Sequence, residues 1–571
     1  MKRTNTLAIF MGTLLLLPGW GEAQSPRYDI VSYGAVSDGK TNNAAAINRA
    51  ITAAAGAGGG TVVVPPGDFM SGPITLLSNV TLYLESGSRI RGSTQLADYY
   101  APLMGADAAK AVGSSALPAR EPAGLITATD AKNVAITGRG TIEGSATAFM
   151  NADRVLDLKY AVTDGGDWDP RLIRQGEDFL STKLGPQDGP FVPILPRPGR
   201  MVQFIRCVNA AITGITLQNS PNYTVAVTDS RNVDIIGIKI NSFASDRRAP
   251  NDDGIDLIHS RLVHIADSDI ETGDDNIALF GSEEVTVTNC TLSSHDSSIR
   301  IGYDGGEIRN SVFSNLVIHN STRGINVNVR AGGVIENLEF NNIVIRTELH
   351  TGYWWGKGEP IHISALPQPG TEKPGVIRNL RFSNILADGE AGILIYGTKE
   401  SVIRDIQFDH VKLNVRSGPM TEYVGGNFDL RGDVPRELSI FKHDIPGLFC
   451  QYADGLKLSN FEVVWEDNLP DYFSHGIECE NFKNLEIDGF AGRQAQVQSN
   501  NSAISLSNGS GVTIRNSVAA EGTQTFLTET GITGSVVLMD NDLSRAKVAI
   551  NPAKADLTQS GNIMPTGKAP E

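Results

Sequence analysis

Four phrases between Asn251 and Val329 constrain this chain more than anything else in it. They are Asp253-Gly-Ile255-Asp-Leu257, Asp275-Asn-Ile277-Ala-Leu279, Ser297-Ser-Ile299-Arg-Ile301 and Arg323-Gly-Ile325-Asn-Val327. Each holds two aliphatic residues two apart, the period of a β-strand, and the phrases follow one another at 22, 22 and 26 residues. A short strand repeated at that interval reads as one turn of a solenoid. The aliphatics form inward columns, and the residues between them, such as Arg300 and Asn326, form an outward one. Just ahead of the strands, one column holds Asp253 and Asp275, and the column before it holds Asp252, Asp274 and Asp296. Turns that pair as parallel strands stack roughly 5 Å apart. The pattern therefore gathers acids at one edge of the stack.

The remainder of the chain extends this reading in both directions. A length of 571 residues suggests several domains, but a solenoid grows along one axis without dividing, so residues 24–571 are expected to form one unit. Thr41 or Asn42 is an N-cap for a helix over Ala44 to Ala55, with Ile47 and Ile51 on one face and Gly56 beyond its end. Strand chemistry begins at once in Thr61-Val-Val-Val64, so the helix is expected to cap the open edge of the first turn, within a capping segment of about 28–91. The phrases Asn79-Val-Thr-Leu, Asn133-Val-Ala-Ile, Asn209-Ala-Ala-Ile and Asn232-Val-Asp-Ile place an asparagine beside an alternating strand, which suits left-handed corners and side-chain ladders. Two segments break the rhythm, about 143–200 and 415–450, and read as loops thrown out over a rigid scaffold. The tail from Pro552 reads as frayed.

Composition narrows the functional classes. A formal charge of −16 and a pI of about 5.1 argue against nucleic acid, whose phosphates are held by Lys and Arg patches. Residues 1–23 read as a signal peptide: Lys2 and Arg3, an apolar run from Leu7 to Leu17, and Gly21-Glu-Ala23 as the cleavage site. That run is too short to span a bilayer, so a secreted, periplasmic or extracellular protein without membrane insertion is expected, as a monomer. Cys207, Cys290, Cys450 and Cys479 lack metal or redox spacing and read as buried ladder positions, with Cys450 and Cys479 the pair to watch for a disulfide.

At this point the residues resemble a known family. The segment 28–91, Arg197-Pro198, Asn219-Ser-Pro221, Asn251-Asp-Asp253-Gly-Ile-Asp256 and Gly273-Asp-Asp275 look like the polygalacturonase family of glycoside hydrolases. The resemblance implies an all-β fold, a single-stranded right-handed parallel β-helix with the N-terminal capping helix. It also implies inverting hydrolysis of a pectin-like, galacturonate-containing polysaccharide without a cofactor or a metal. Asp274 would protonate the leaving oxygen, while Asp253 and Asp275 would activate water. Crowded carboxylates cannot all ionise cheaply, which suits this division of labour, and an inverting pair needs about 6.5–9.5 Å between acid and base.

The chain departs from the family where the substrate is held. The family's Gly-His-Gly is replaced by Asp296-Ser-Ser298, with His295 two positions early, either drawn into the site or left on the surface. The family's Arg-Ile-Lys is replaced by Asn326-Val-Asn328. Arg300 shares the outward column with Asn326 and could supply the missing positive charge, or could pair with Asp256 or Asp296; Arg323 and Arg330 are further candidates. Asn251, Trp354 and Trp355 complete the expected substrate contacts, the indoles as stacking platforms or as packing. Three alternatives stay open: a hydrolase of another glycan, a calcium-dependent lyase with Arg300 as base, and a non-catalytic carbohydrate-binding β-helix.

Overall fold

In the computed structural model the described residues are 26–104, 121–151, 191–242, 248–350, 354–367, 374–421, 426–430, 440–551 and 556–565. The expected leader at 1–23 lies outside them, as does the greater part of the 143–200 insertion. Among the described residues the strands build a parallel β-helix. One sheet has 15 strands and the other 27, and both run in parallel from turn to turn. A typical turn gives one strand to the first sheet and two consecutive strands to the second, as Val202–Ile205, Val208–Thr213 and Thr216–Gln218 do. No described helix is long and apolar enough to cross a membrane.

The register is the one the aliphatic spacing sets. Ile255 pairs with Ile277, then Ile299, Ile325 and Ile361, and all five are fully buried. Each turn thus adds one rung to an interior of stacked like side chains. In the second sheet Phe313, Phe340, Phe382 and Phe408 stack face to face, with centroids 4.9, 4.7 and 4.9 Å apart. Serines line another column, where the backbone N–H groups of Cys207, Ser230 and Ser260 donate to the hydroxyls of Ser230, Ser260 and Ser282.

The asparagine phrases form the expected ladder. Asn79, Asn133, Asn209 and Asn232 all have φ between 53° and 62°, a left-handed conformation that asparagine tolerates better than most residues. Their amides link in series, Asn133 to Asn79 at 2.9 Å, Asn209 to Asn133 at 3.0 Å and Asn232 to Asn209 at 2.9 Å. Asn310, Asn337 and Asn379 repeat the device further along.

Helix α1 (Ala44–Gly56) buries Ala46, Ile47, Ala50, Ile51 and Ala54 against the first turns, as a cap must. The residue at its N-cap is Asn43, not Thr41 or Asn42, although the Asn42 side chain does accept the Ala44 N–H. A second helix, α2 (Leu96–Met104), was not anticipated: Pro102 lies inside it, and buried Tyr99 fixes it by donating to Ser93 O at 3.0 Å. The tail also differs from expectation. Asp556–Ser560 pairs in parallel with Thr533–Met539, so the coil gains another rung past Pro552. The irregular segments leave the coil as antiparallel ribbons, Met150–Asn151 with Val192–Pro193 and Phe428–Asp429 with Ile440–Phe441. All four cysteines are free and buried, and Cys450 pairs in register with Cys479 on the next turn.

The stacked interior predicts a contrast between two substitutions on adjacent faces. Phe340→Ala opens the phenylalanine stack and is expected to cost about 3–5 kcal/mol. Asn337→Gly keeps the positive φ and loses only exposed ladder bonds, so chemical denaturation should show a much smaller change.

Candidate active site

Five strands of the 15-stranded sheet carry the site: β1 (Ile255–Ile258), β2 (Ile277–Phe280), β3 (Ser297–Gly302), β4 (Arg323–Val329) and β5 (Ile361–Ala365). The acids sit on the turns leading into β1 and β2. Glycine is required there by close approach. A Cβ on Gly254 would lie 2.4 Å from Asn276 O, and one on Gly273 would lie 2.5 Å from Arg248 Cβ.

Asp252 is the acid that builds the turn. It is fully buried, takes the Ser242 hydroxyl on one oxygen, and on the other accepts the N–H groups of Gly273 and Asp274, both at 2.9 Å. Burial pushes its carboxyl up to about 7. By fixing Gly273 and Asp274 it positions the next two acids. Asp274 then receives the Asn251 N–H at 2.9 Å and the Asp275 N–H at 3.1 Å.

Asp253, Asp274 and Asp275 converge, with one oxygen from each within 4.8 Å of the others. Asp253 and Asp275 are buried, whereas Asp274 is partly exposed and faces solvent from between them. Oδ1 of Asp253 and Oδ1 of Asp275 are both buried without a hydrogen-bond partner. Burial, then the charges of Asp256 and Asp274, hold Asp253 well above the usual carboxylate range. Burial pushes Asp275 up to about 7, with Arg300 pulling the other way. The 6.5–9.5 Å gap expected for an inverting pair does not appear between the nearest oxygens, because two of the acids are consecutive residues and the third lies directly beneath one of them.

Arg300 is the cation of this cluster. It falls in the predicted column, in register with Asn326, but its partner is Asp275, at 2.7 Å from Nε, and not Asp256 or Asp296. Burial alone would lower its guanidinium, yet Asp275 and the other carboxylates raise it above its ordinary value. Phe280 and Tyr303 flank the group at 4.6 and 5.2 Å, and 13% of the side chain stays exposed. The acid triad has the donors to hold a cation, and Arg300 already meets that charge beside Asp275.

The other expected contacts divide. Asn251 is exposed and stands at the acids, its Oδ1 accepting from Arg197 Nη2 at 3.1 Å. Trp355 is half-buried; its N–H donates to Asp296 Oδ2 at 2.9 Å and its ring lies 5.6 Å from Tyr303, on the Arg300 side. Asn326 and Asn328 are corrections: both are buried, and Asn328 donates to Asn326 Oδ1 at 3.1 Å. Trp354 takes the packing alternative, buried with its ring edge against His295. His295 neither reaches the acids nor stands free on the surface; it stacks 3.9 Å from His350, and burial lowers its pKa well below the usual value. Arg323 and Arg330 are fully buried, holding the carbonyls of Asp429 and Leu430 in the second irregular segment.

Two residues received no role at the acids from the sequence. Asp256, read there only as a motif residue and a possible partner of Arg300, is a fourth carboxylate, fully buried with neither oxygen hydrogen-bonded, pushed up to about 8 by burial. Its place in the outward column ahead of Arg300 was the available signal. Tyr223 lies close enough for Asp253 to be the main influence raising its hydroxyl pKa, and it stands two residues after the Asn219-Ser-Pro221 phrase.

Comparison with known proteins agrees with this geometry. The profile of Glycosyl hydrolases family 28 matches residues 195–424, the span that holds every acid above and Arg300. Residues 28–151 match Rhamnogalacturonase A/epimerase, pectate lyase-like. An endo-polygalacturonase of Pectobacterium carotovorum subsp. carotovorum is 26% identical over 49% of this chain and 62% of its own length. An exo-poly-alpha-D-galacturonosidase of Dickeya chrysanthemi is 29% identical over 81% of this chain and 74% of its own. Among solved structures, the family 28 exopolygalacturonase of Yersinia enterocolitica superposes with a TM-score of 0.56 at 18% identity, covering 82% of this chain and 79% of that one. The exopolygalacturonase of Thermotoga maritima gives 0.53 at 21%, covering 78% and 93%. Those two likenesses concern the fold. With that profile lying over the acid turns, residues 195–424 carry a glycosyl hydrolase family 28 domain, and the chain is a divergent homologue of polygalacturonases.

Proposed function

We propose that the protein hydrolyses glycosidic bonds of a pectin-like, galacturonate-containing polysaccharide, with inversion at the anomeric carbon. The observation that carries this reading is the convergence of Asp253, Asp274 and Asp275 beside Arg300, whose side chain is partly exposed. Asp274, the member open to solvent, gives its proton to the leaving oxygen as the C–O bond breaks. Asp253 and Asp275 hold a water between them, and its oxygen attacks the anomeric carbon while its proton passes to that pair. Arg300 orients Asp275 and accepts a uronate carboxylate in place of the charge that Asn326 and Asn328 lack. The names of the relatives, polygalacturonases acting on galacturonan, support the uronic substrate. The N-terminal leader pattern supports export.

One observation favours a second stereochemical outcome. Oxygens within 4.8 Å resemble the roughly 5–5.5 Å spacing of retaining pairs more than an inverting gap. Inversion then requires both Asp253 and Asp275 to serve the same water. The lyase reading fits the site less well, since a guanidinium held above its ordinary pKa is a poor proton abstractor. A non-catalytic scaffold is also disfavoured, because buried carboxylates without hydrogen bonds are costly to keep where they do no chemistry.

Asp274→Asn is expected to lower kcat on polygalacturonate about 10²–10⁴-fold with the thermal midpoint unchanged, the loss typical of a general acid. Reducing-end release would measure it, and absorbance from unsaturated ends would assign the protein to the lyases instead. Arg300→Ala should raise KM on polygalacturonate by about tenfold or more, as for a lost charge-assisted bond, and leave KM on neutral glycans unaffected. Because Arg300 lowers the pKa of Asp275, its removal raises that pKa further. The base then ionises only at higher pH, so the acidic limb of the kcat/KM profile should move toward alkaline pH.

A further inference from the structure

A second group of ligating side chains lies on the same sheet face, away from the acids. The outward column that contains Arg300 continues through Asn326, His362, Leu394 and Phe449 to Glu478, five turns on. At one strand spacing per turn, that is roughly 24 Å from the catalytic cluster. Glu480 follows two residues later on the same strand, pointing to the same face. His443 is brought over them by the return arm of the 415–450 insertion. One ligand atom each from His443, Glu478 and Glu480 lies within 4.8 Å of the others.

Three features separate this group from an ordinary acidic patch. His443 Nδ1 lies 2.6 Å from Asp444 O, and a carbonyl can only accept, so Nδ1 is committed as a donor and Nε2 is the nitrogen left to face the carboxylates. That Nε2 faces Glu478 Oε1 at 3.8 Å, too far for a hydrogen bond but close to the edge between ligands of one metal ion, about 3.4 Å for tetrahedral zinc. Glu478 Oε2 is buried with no hydrogen-bond partner. The imidazole is also fixed in place, stacked on Phe441 at 5.1 Å and packed against Phe449 at 4.7 Å. A ring nitrogen committed to a backbone carbonyl, with the other aimed at two carboxylates, is the arrangement seen for metal-ligating histidines.

We propose that His443 Nε2, Glu478 and Glu480 bind one divalent transition-metal ion of the zinc class, with water completing the shell. The imidazole favours zinc over calcium or magnesium, which take oxygen ligands. The ion is structural. It ties the arm at Ile440–Phe441 and His443 to the coil, and that arm pairs with Phe428–Asp429, whose carbonyl at Asp429 is held by Arg323 beside the catalytic sheet. This inference is independent of the substrate and of the stereochemistry proposed above.

The test uses the whole protein, stripped with a chelator and titrated with Zn2+ by calorimetry, with Ca2+ as a parallel arm. One tight equivalent of Zn2+, unaffected by millimolar Ca2+ and accompanied by a rise of several degrees in the thermal midpoint, is expected. Co2+ loaded in its place should show visible d–d bands. His443→Ala and Glu478→Gln should each weaken binding about 100-fold or more, while Asp274→Asn leaves it unchanged; Glu480→Gln serves if either of the first two fails to fold. No bound equivalent at micromolar Zn2+, or an equivalent lost in Asp274→Asn but kept in His443→Ala, would overturn the proposal.

Discussion

Residue-for-residue register between parallel turns is the constraint on which this structure depends. The acids are held by their own backbones within that ladder: Thr224 N donates to Asp253 O at 2.8 Å, and Gly254 N donates to Asp275 O at 2.9 Å. A slip of one residue would turn every inward aliphatic outward and carry Asp253 away from Asp275. The column of buried isoleucines from Ile255 to Ile361 prevents such a slip across the strands that carry the site. Core packing and placement of the acids therefore share one cause.

That placement creates an electrostatic problem which the site resolves unevenly. Asp252, Asp253, Asp256 and Asp275 are all buried, and burial raises each of them. Asp252 is satisfied by two backbone N–H groups and a hydroxyl, so it serves as a turn-builder. Asp253, Asp256 and Asp275 retain oxygens without hydrogen bonds; the Arg300 guanidinium draws all three pKa values down, with Arg200 a further influence on Asp256 and Ser297 on Asp275. Unequal satisfaction of chemically identical groups is what lets neighbouring carboxylates differ in protonation.

What could be read from the sequence follows the same division. The parallel coil, its register, the capping helix, the asparagine ladder and the grouping of Asp253 with Asp274 and Asp275 are periodic or local features, and spacing reports them directly. Burial from outside the coil is not periodic. Arg330 is covered by a carbonyl at Leu430, 100 residues away, and nothing in the phrase Arg323-Gly-Ile-Asn326 reports it. The burial of Asn326, Asn328 and Trp354 is likewise not reported by spacing. The α2 helix, with Pro102 inside it, and the last strand, past Pro552, carry no repeat of the spacing that marks the other elements.

The most direct test of the account is the anomeric configuration of the first sugar released from a galacturonan, followed by proton NMR within the first minutes of turnover. A saturated product of inverted configuration is the result this account predicts, with Asp253 and Asp275 sharing one water opposite the proton of Asp274. A saturated product of retained configuration would contradict it, turning one of those aspartates from a base into a nucleophile.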